Sequence, residues 1–446
     1  MSDKLIIKTR KNIFLYILIE IFFLILSYLI VLLSQKEINY SYIYTFIIIL
    51  SWPIVSYLTN RYEGIFLKQN LINSFLRIIF SSSIMIILFT FSATIIDLFK
   101  LYKTDFQISY SYGFLIQILS LNIFFNFFIS LLMNNISKKI NKEKTWIFIG
   151  SDENFEILNS SIKNSSYKST LKIKKIKANR FNKLRNSRII IDHEDKIEQN
   201  LSSFIDSNIE NILILSTIED WYETTFERIP VDLFTLNNMY QLKQKSYKND
   251  IENKIKRIGD ISLSIFILIV TFPLLLIIGL LIWLEDRGPI IYTQKRVGFK
   301  GKTFRLFKFR SMHINAEKDG PKWASKNDPR TTFIGKILRK TRFDEIPQLY
   351  SVIKGEMSLI GPRPERPEME KTLIANVKHY NLKYLVKPGM SGWAQVNYPY
   401  GSSIEDSKNK LSFDIFYIKN KSIFLDFIIF FKTMRVVFNF HRYGSN

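Results

Sequence analysis

Four uncharged or nearly uncharged apolar runs fill the first third of the chain: Ile13 to Leu33, Tyr42 to Leu58, Ile78 to Ile96 and Tyr112 to Met133. Each approaches the roughly 20 residues a helix needs to cross a bilayer, so residues 1–140 are predicted to form four transmembrane helices. The first run has no small-residue cleavage site after it and reads as a retained span. From Thr145 to about Asn238 short β-type runs alternate with polar, helical-looking stretches. Trp146 to Ile149, Arg188 to Ile191 and Asn211 to Leu215 read as buried strands, which predicts a small α/β unit with a parallel sheet over residues 141–240. A linker rich in Lys, Asn and Gln occupies 241–253, and a last module runs from 254 to 446.

That last module opens with another uncharged run, Ile261 to Leu284, interrupted by Pro273. Proline removes a backbone donor and disfavours helical geometry at Phe272, so a break is predicted near the middle of the run. Basic residues flank both ends. A re-entrant helix over 255–284, entering and leaving on the cytoplasmic side, fits both features; a proline-kinked fifth span is the alternative. Near the end, Phe424 to Phe440 is apolar but carries Asp426, Lys432 and Arg435. It reads as an amphipathic interfacial helix, or as one packed within the protein.

Composition agrees with a membrane protein that has large water-exposed parts. The 446 residues are 47% hydrophobic and 15% aromatic, yet 23% are charged. The formal net charge of +23 admits nucleic acid, anionic lipid or a phosphate-rich substrate as partners. Cations gather before the first span (Lys4, Lys8, Arg10, Lys11), between the second and third (Arg61, Lys68, Arg77) and after the fourth (Lys138, Lys139, Lys142, Lys144). The other two loops hold only Lys36, Lys100 and Lys103, so both ends of the four-helix region face the cytoplasm. Glu20 is the acidic residue at depth, read as snorkelling or paired with a helix.

Several chemistries are excluded. There is no cysteine, and the four histidines (His193, His313, His379, His441) lie far apart, so zinc and thiolate sites have no basis. The first α/β strand ends in Gly150-Ser151-Asp152-Glu153, without a complete Gly-x-Gly-x-x-Gly and with carboxylates that repel a pyrophosphate. A degenerate Rossmann-like scaffold is predicted there.

The chemically dense stretch is Arg339 to Pro367. Asp344 and Glu345 stand among Arg339, Lys340 and Arg342, a setting expected to keep a carboxylate ionised. Such an Asp can hold Mg²⁺, attack phosphorus, or cap a helix, since Thr341 and Asp344 have capping-box spacing. Gly361-Pro362-Arg363-Pro364 is a rigid turn that presents a guanidinium suited to phosphate. Lys308 and Arg310, interleaved with Phe304, Phe307 and Phe309, add positive charge that phosphoryl transfer uses and that nucleic acid binding also uses. An apolar hairpin nearby favours a phospholipid-like substrate over nucleic acid.

From about Lys254 to Phe438 these motifs resemble the catalytic module of the polyprenyl phosphate phosphoglycosyl transferases, the bacterial sugar transferases. The matching pieces include Lys256-Arg257-Ile258-Gly259-Asp260, the Pro273 break, Gln294-Lys295-Arg296-Val297-Gly298, Phe307-Lys308-Phe309-Arg310-Ser311-Met312 and Phe343-Asp344-Glu345-Ile346-Pro347-Gln348. Lys354-Gly355-Glu356-Met357-Ser358, Gly361-Pro362-Arg363-Pro364, Lys387-Pro388-Gly389, Gly392-Trp393-Ala394-Gln395 and Asp414 continue the series. Phe272 replaces a frequent Ser, and Glu356 a frequent Asp. The layout resembles undecaprenyl phosphate galactose or glucose phosphotransferases.

The resemblance implies a multi-pass protein of the bacterial inner membrane. It would combine a four-helix transmembrane bundle, a small Rossmann-like cytoplasmic domain and a monotopic catalytic domain with a re-entrant helix. It implies transfer of a hexose 1-phosphate from a UDP-sugar to undecaprenyl phosphate with release of UMP, initiating exopolysaccharide, capsule or O-antigen synthesis. Asp344 is implied as nucleophile and Mg²⁺ site, and Glu345 as its helper. Lys308, Arg310, Arg339, Gln348, Pro362, Arg363, Pro364 and Gln395 are implied around the substrate, and Lys256, Arg257, Asp260 and Pro273 in the hairpin. Implied partners are the UDP-sugar, the polyprenyl phosphate and the bilayer, with a homodimer left open and no nucleic acid. A glycosyltransferase would show an Asp-x-Asp type site, and none is evident. A non-enzymatic membrane anchor or sensor would leave the carboxylates and the Pro-Arg-Pro turn unexplained.

Overall fold

The computed structural model describes residues 3–34, 42–59, 61, 71–98, 108–140, 144–163, 165, 171–175, 187–192, 214–234, 239–240, 242, 250–314, 316, 328–399, 401 and 403–438. The chain divides into two compact units, Met1–Thr225 and Phe226–Asn446.

In the first unit, helices α1 (Asp3–Ser34), α2 (Tyr42–Leu58), α3 (Leu71–Leu98) and α4 (Ile108–Ile140) follow in order. Leu24, Val31, Trp52, Val55, Met85, Phe89 and Leu119 meet in a shared core. Their outer faces are apolar too, with Phe22, Leu33, Phe80, Ile87 and Phe124 exposed. Helices that are hydrophobic all round suit a lipid environment. Tyr16–Leu33 here, and Ile251–Asp286 in the second unit, are long and apolar enough to cross a membrane. Glu20 is helix-paired: Arg61 reaches its carboxylate at 2.6 Å, donates to Ser56 Oγ and lies over the Trp52 ring. Of the loop cations used for orientation, Lys36, Lys68, Lys100, Lys103 and Lys142 lie outside the described residues.

The same unit holds β1 (Lys144–Ile149), α5 (Asp152–Lys163), β2 (Leu171–Lys175), β3 (Arg188–Ile191), β4 (Ile214–Thr217) and α6 (Ile218–Phe226). The strands are parallel in the order β2-β1-β3-β4. β4 runs two residues beyond the predicted end at Leu215, and 211–213 lie outside the described residues. β2 was not legible as a strand because lysines alternate with its apolar residues. It is an edge strand with Lys172 and Lys174 exposed, a pattern that discourages further pairing. Between β1 and β3, where the chain changes direction, Asp192 accepts from Ser151 N and Oγ at 2.9 Å each and from Asn154 Nδ2 at 2.7 Å. A carboxylate of the chain itself therefore fills the place where such a sheet receives an anionic ligand.

In the second unit α7 (Asp250–Asp286) comes first. It corrects two expectations. Residues 250–253 of the predicted linker are helical, with Glu252 accepting from Ile423 N and Asn253 from Lys421. The helix also continues through Pro273 where a break was predicted. The exposed ring forfeits one hydrogen bond, and the long apolar flanks on either side carry the helix past it. A third correction concerns the domain boundary. Residues from Phe226 onward, read as the end of the α/β domain, belong to the second unit, where Ile229 N donates to Ser412 O.

After α7 come the antiparallel pair β5 (Ile291–Val297) and β6 (Thr303–Phe309), then α8 (Phe333–Thr341), a 3₁₀ turn over Phe343–Gln348, and α9 (Leu349–Lys354). The short parallel strands β7 (Ser358–Ile360) and β8 (Gly389–Ser391) bracket α10 (Pro367–Asn376). α11 (Trp393–Asn397), α12 (Ile404–Asn420) and α13 (Ile423–Phe438) close the unit. Ser403 and Asp406 form a full capping box on α12, whose Phe416 stacks on Trp393. In α13 the polar residues turn inward, Asp426 to Lys256 and Tyr417, Lys432 to Asn397, while Phe424 and Phe427 are exposed.

Both ends of α7 are tied into this unit. Lys256 reaches Asp426 at 2.6 Å, and Arg257 donates to the carbonyls of Val352 and Ile353 at the end of α9, at 2.5 and 2.7 Å. Asp260 accepts from Ser358 Oγ at 2.7 Å and Leu359 N at 3.3 Å; its partners are these groups and not the neighbouring cations. Further on, Leu275, Ile278 and Ile282 pack with Phe309, Ile334, Leu338 and Phe343. Between the two anchorages Phe266, Ile269, Val270 and Phe272 are exposed.

Candidate active site

Local sequence chemistry sets where the carboxylates point. Thr332 caps α8 by accepting from Gly335 N at 2.9 Å, and any side chain at Gly335 would run into the Ser311 carbonyl. α8 stops at Thr341, whose hydroxyl bonds back to Ile337 O at 2.9 Å. Arg342 then takes φ 61°, a left-handed conformation that costs a non-glycine residue about 1–2 kcal/mol. The Thr341–Asp344 capping box therefore does not form. The reversal swings Asp344 and Glu345 into a 3₁₀ turn and buries both.

Glu345 is the fully engaged partner. Its Oε1 lies 3.0 Å from Lys308 Nζ and 3.3 Å from Arg363 Nη2, and its Oε2 lies 3.6 Å from Arg342. Burial alone would raise its pKa, but Lys308, Arg363 and Arg342 reverse that and hold it well below the carboxylate range. Asp344 behaves oppositely. Burial first, and the Glu345 charge second, push it up to about 6 against the pull of Lys308, Arg339 and Arg342. The expectation of a low pKa thus holds for Glu345 and fails for Asp344, because the cations face the neighbour. Asp344 Oδ1 is buried and has no hydrogen-bond partner.

The remaining predicted residues divide. Lys308 and Arg363 converge on the pair, and Arg339, which donates to Ser311 Oγ at 2.9 Å, is close enough to act on Asp344. Gln348 is buried in the same 3₁₀ turn. The guanidinium of Arg310 is bound to Asp286 and the Ile282 carbonyl, which fastens the end of α7. Gln395 donates to Met390 O at 3.3 Å. The carbonyls of Pro362 and Pro364 are held by Gly389 N and Arg296 Nη1. Arg342, one of the cations expected around the pair, does meet Glu345, whereas Arg296 has no role legible in the sequence. Nothing in a linear motif shows that Arg296 on β5 reaches the Pro-Arg-Pro turn.

Among the described residues no group of three or more His, Cys, Asp or Glu is placed to hold a metal. Mg²⁺ asks for less, one or two carboxylates with the rest supplied by water and substrate phosphates. The unpartnered oxygen of Asp344 fits that requirement, whereas both oxygens of Glu345 are taken by cations.

Residues 251–440 match the family described as bacterial sugar transferase. The chain is 40% identical over 215 residues to a UDP-N-acetylgalactosamine-undecaprenyl-phosphate N-acetylgalactosaminephosphotransferase of Aeromonas hydrophila, covering 48% of this chain and 50% of that protein. It is 37% identical over 186 residues to a UDP-glucose:undecaprenyl-phosphate glucose-1-phosphate transferase of Escherichia coli, covering 41% and 40%. It is 39% identical over 198 residues to an undecaprenyl-phosphate galactose phosphotransferase of Salmonella typhimurium, covering 41% and 40%. The chain thus spans half or less of the length of these relatives.

Proposed function

We propose that this protein, whose residues 251–440 match the bacterial sugar transferase family, moves a hexose 1-phosphate from a UDP-sugar to a polyprenyl phosphate such as undecaprenyl phosphate. In the first step an Asp344 carboxylate oxygen attacks the β-phosphorus, the bond to the bridging oxygen breaks, and UMP leaves. In the second an oxygen of the carrier phosphate attacks the same phosphorus and expels Asp344. Product is a sugar linked to the lipid through a diphosphate, which begins an exopolysaccharide, capsule or O-antigen.

The observation that carries this reading is the division of labour in the carboxylate pair. Glu345 holds Lys308 and Arg363 in place, and Asp344 keeps a buried oxygen uncommitted beside them. Cations fixed in advance are what phosphoryl transfer requires. Mg²⁺ would be held at Asp344 and the substrate phosphates, where it supplies charge neutralisation.

The setting is proposed as the inner face of the bacterial cytoplasmic membrane. α7 is read as a re-entrant helix that turns back by a kink at Pro273 and not by a break, supported by the anchorage of both its ends in one unit and the apolar exposure between them. The parallel sheet is read as a Rossmann-like scaffold without dinucleotide, since Asp192 supplies the anion at its turn.

The test is UMP release from a panel of UDP-sugars by the full chain with polyprenyl phosphate. Asp344→Asn is expected to abolish release while leaving membrane insertion intact. Retained turnover in that variant, or UDP as the product, overturns the mechanism. Relatives of the chain are named for N-acetylgalactosamine, glucose and galactose, so the panel also identifies the sugar.

A further inference from the structure

We propose that Arg296 is a positioning residue that aims Arg363 at the phosphates of the sugar nucleotide, an inference that rests on the function proposed above. β5 pairs with β6 along one edge, Arg296 opposite Phe304. Its other edge receives the segment that carries the Pro-Arg-Pro turn: Val297 N donates to Glu365 O at 3.0 Å, and Arg296 Nη1 donates to Pro364 O at 3.0 Å. On the far side of the turn Gly389 N donates to Pro362 O at 2.9 Å. The carbonyls immediately before and after Arg363 are both pinned, and its guanidinium is delivered 3.3 Å from Glu345 Oε1.

The fork of Arg296 is held in turn. Nη2 donates to Gln294 Oε1 at 2.7 Å, and Gln294 Nε2 donates to Tyr292 Oη at 3.1 Å, so the relay runs along one strand. With both terminal nitrogens engaged, Arg296 acts on phosphate through Arg363 and not by contact. Its placement is costly: burial first, and then Arg363 and Arg366, lower its pKa to about 10, and the carboxylate in range, Glu365, stands at 3.9 Å. A lysine could not replace it, because two differently directed donors are needed.

A double-mutant cycle tests this. Arg296→Met, Arg363→Met and the double variant are compared by kcat and KM for the UDP-sugar in UMP release, with unfolding midpoints as a control on the fold. Arg296→Met is expected to raise KM about tenfold, the scale of one lost charge-assisted hydrogen bond. In the Arg363→Met background it should cost less than about twofold more, as expected for residues that act as a unit. Arg296→Lys should not rescue. Additive losses, or full rescue by lysine, overturn the proposal. If Arg296→Met does not fold, Gln294→Leu, which removes only the outer anchor of the fork, replaces it in the cycle with the same expectations. A native chain that releases no UMP from any UDP-sugar refutes the function itself, an outcome distinct from additivity.

Discussion

Replacing Glu345 by glutamine separates the two carboxylates experimentally. The substitution keeps the shape and removes the charge that Lys308 and Arg363 meet at 3.0 and 3.3 Å. Lys308 has 18% of its side chain exposed, so it is left as a buried cation without its closest partner. Breaking a buried pair in this way costs about 3–5 kcal/mol. The same change removes the neighbouring negative charge that helps to hold Asp344 at about 6, and it leaves Lys308, Arg339 and Arg342 to pull that pKa down. In the proposed mechanism Asp344 must be ionised to attack, so activity should be lost as pH falls through about 6. In Glu345→Gln the acid limb should move to lower pH by about one unit or more, since one unit is only about 1.4 kcal/mol of differential interaction. Maximal turnover should fall, because the released cations close onto Asp344. The measurement is initial UMP release across about pH 4.5 to 8 in detergent micelles, where buffer series of constant ionic strength keep screening fixed. An acid limb that stays in place would refute the assignment of that limb to Asp344.

Other outcomes follow from the same geometry. Gly389→Ala forces a methyl group into the backbone of Gly361, so it should destabilise the unit by about 1–3 kcal/mol and raise KM by displacing Arg363, both read from unfolding and steady-state kinetics. Arg310→Met should lower the unfolding midpoint, at about 2 kcal/mol for its lost charge-assisted bonds, while KM for the sugar nucleotide stays constant, the outcome expected of a residue whose guanidinium fastens Asp286. Asp414 is pushed up to about 7 by burial first and by Glu365, against Lys383 and Lys410. The folded state then holds a proton that the unfolded state has released, so stability should decline from about pH 4 to pH 7, and Asp414→Asn should flatten that slope in chemical unfolding.

The sequence was most legible where one residue type carries one physical demand. Apolar runs announced helices, Arg188 opened a strand where expected, Trp146 to Ile149 lie in one that begins two residues earlier at Lys144, and Asp344 could be singled out from its cations. It was least legible where the outcome depends on which neighbour a side chain meets. Asp344 and Glu345 sit in the same run of charges, yet the left-handed turn at Arg342 gives the cations to Glu345 and leaves Asp344 raised. Arg310 looked equivalent to Lys308 two positions away, but β6 ends at Phe309 between them, and their partners lie in different elements. At Pro273 a local rule was outweighed by the helix on either side.

The grip of α7 on the catalytic segment makes height a chemical variable. Arg257 holds the carbonyls that end α9, and Ile278 and Ile282 hold Phe343, so the stretch carrying Asp344 is clamped from both directions by one apolar helix. A helix displaced by one turn, about 5.4 Å, would carry the proposed nucleophile with it, farther than any reacting distance tolerates. In bilayers of graded acyl-chain length, turnover should therefore peak at one thickness and fall on either side, with the lipid acting as the ruler that sets where carboxylate and carrier phosphate meet.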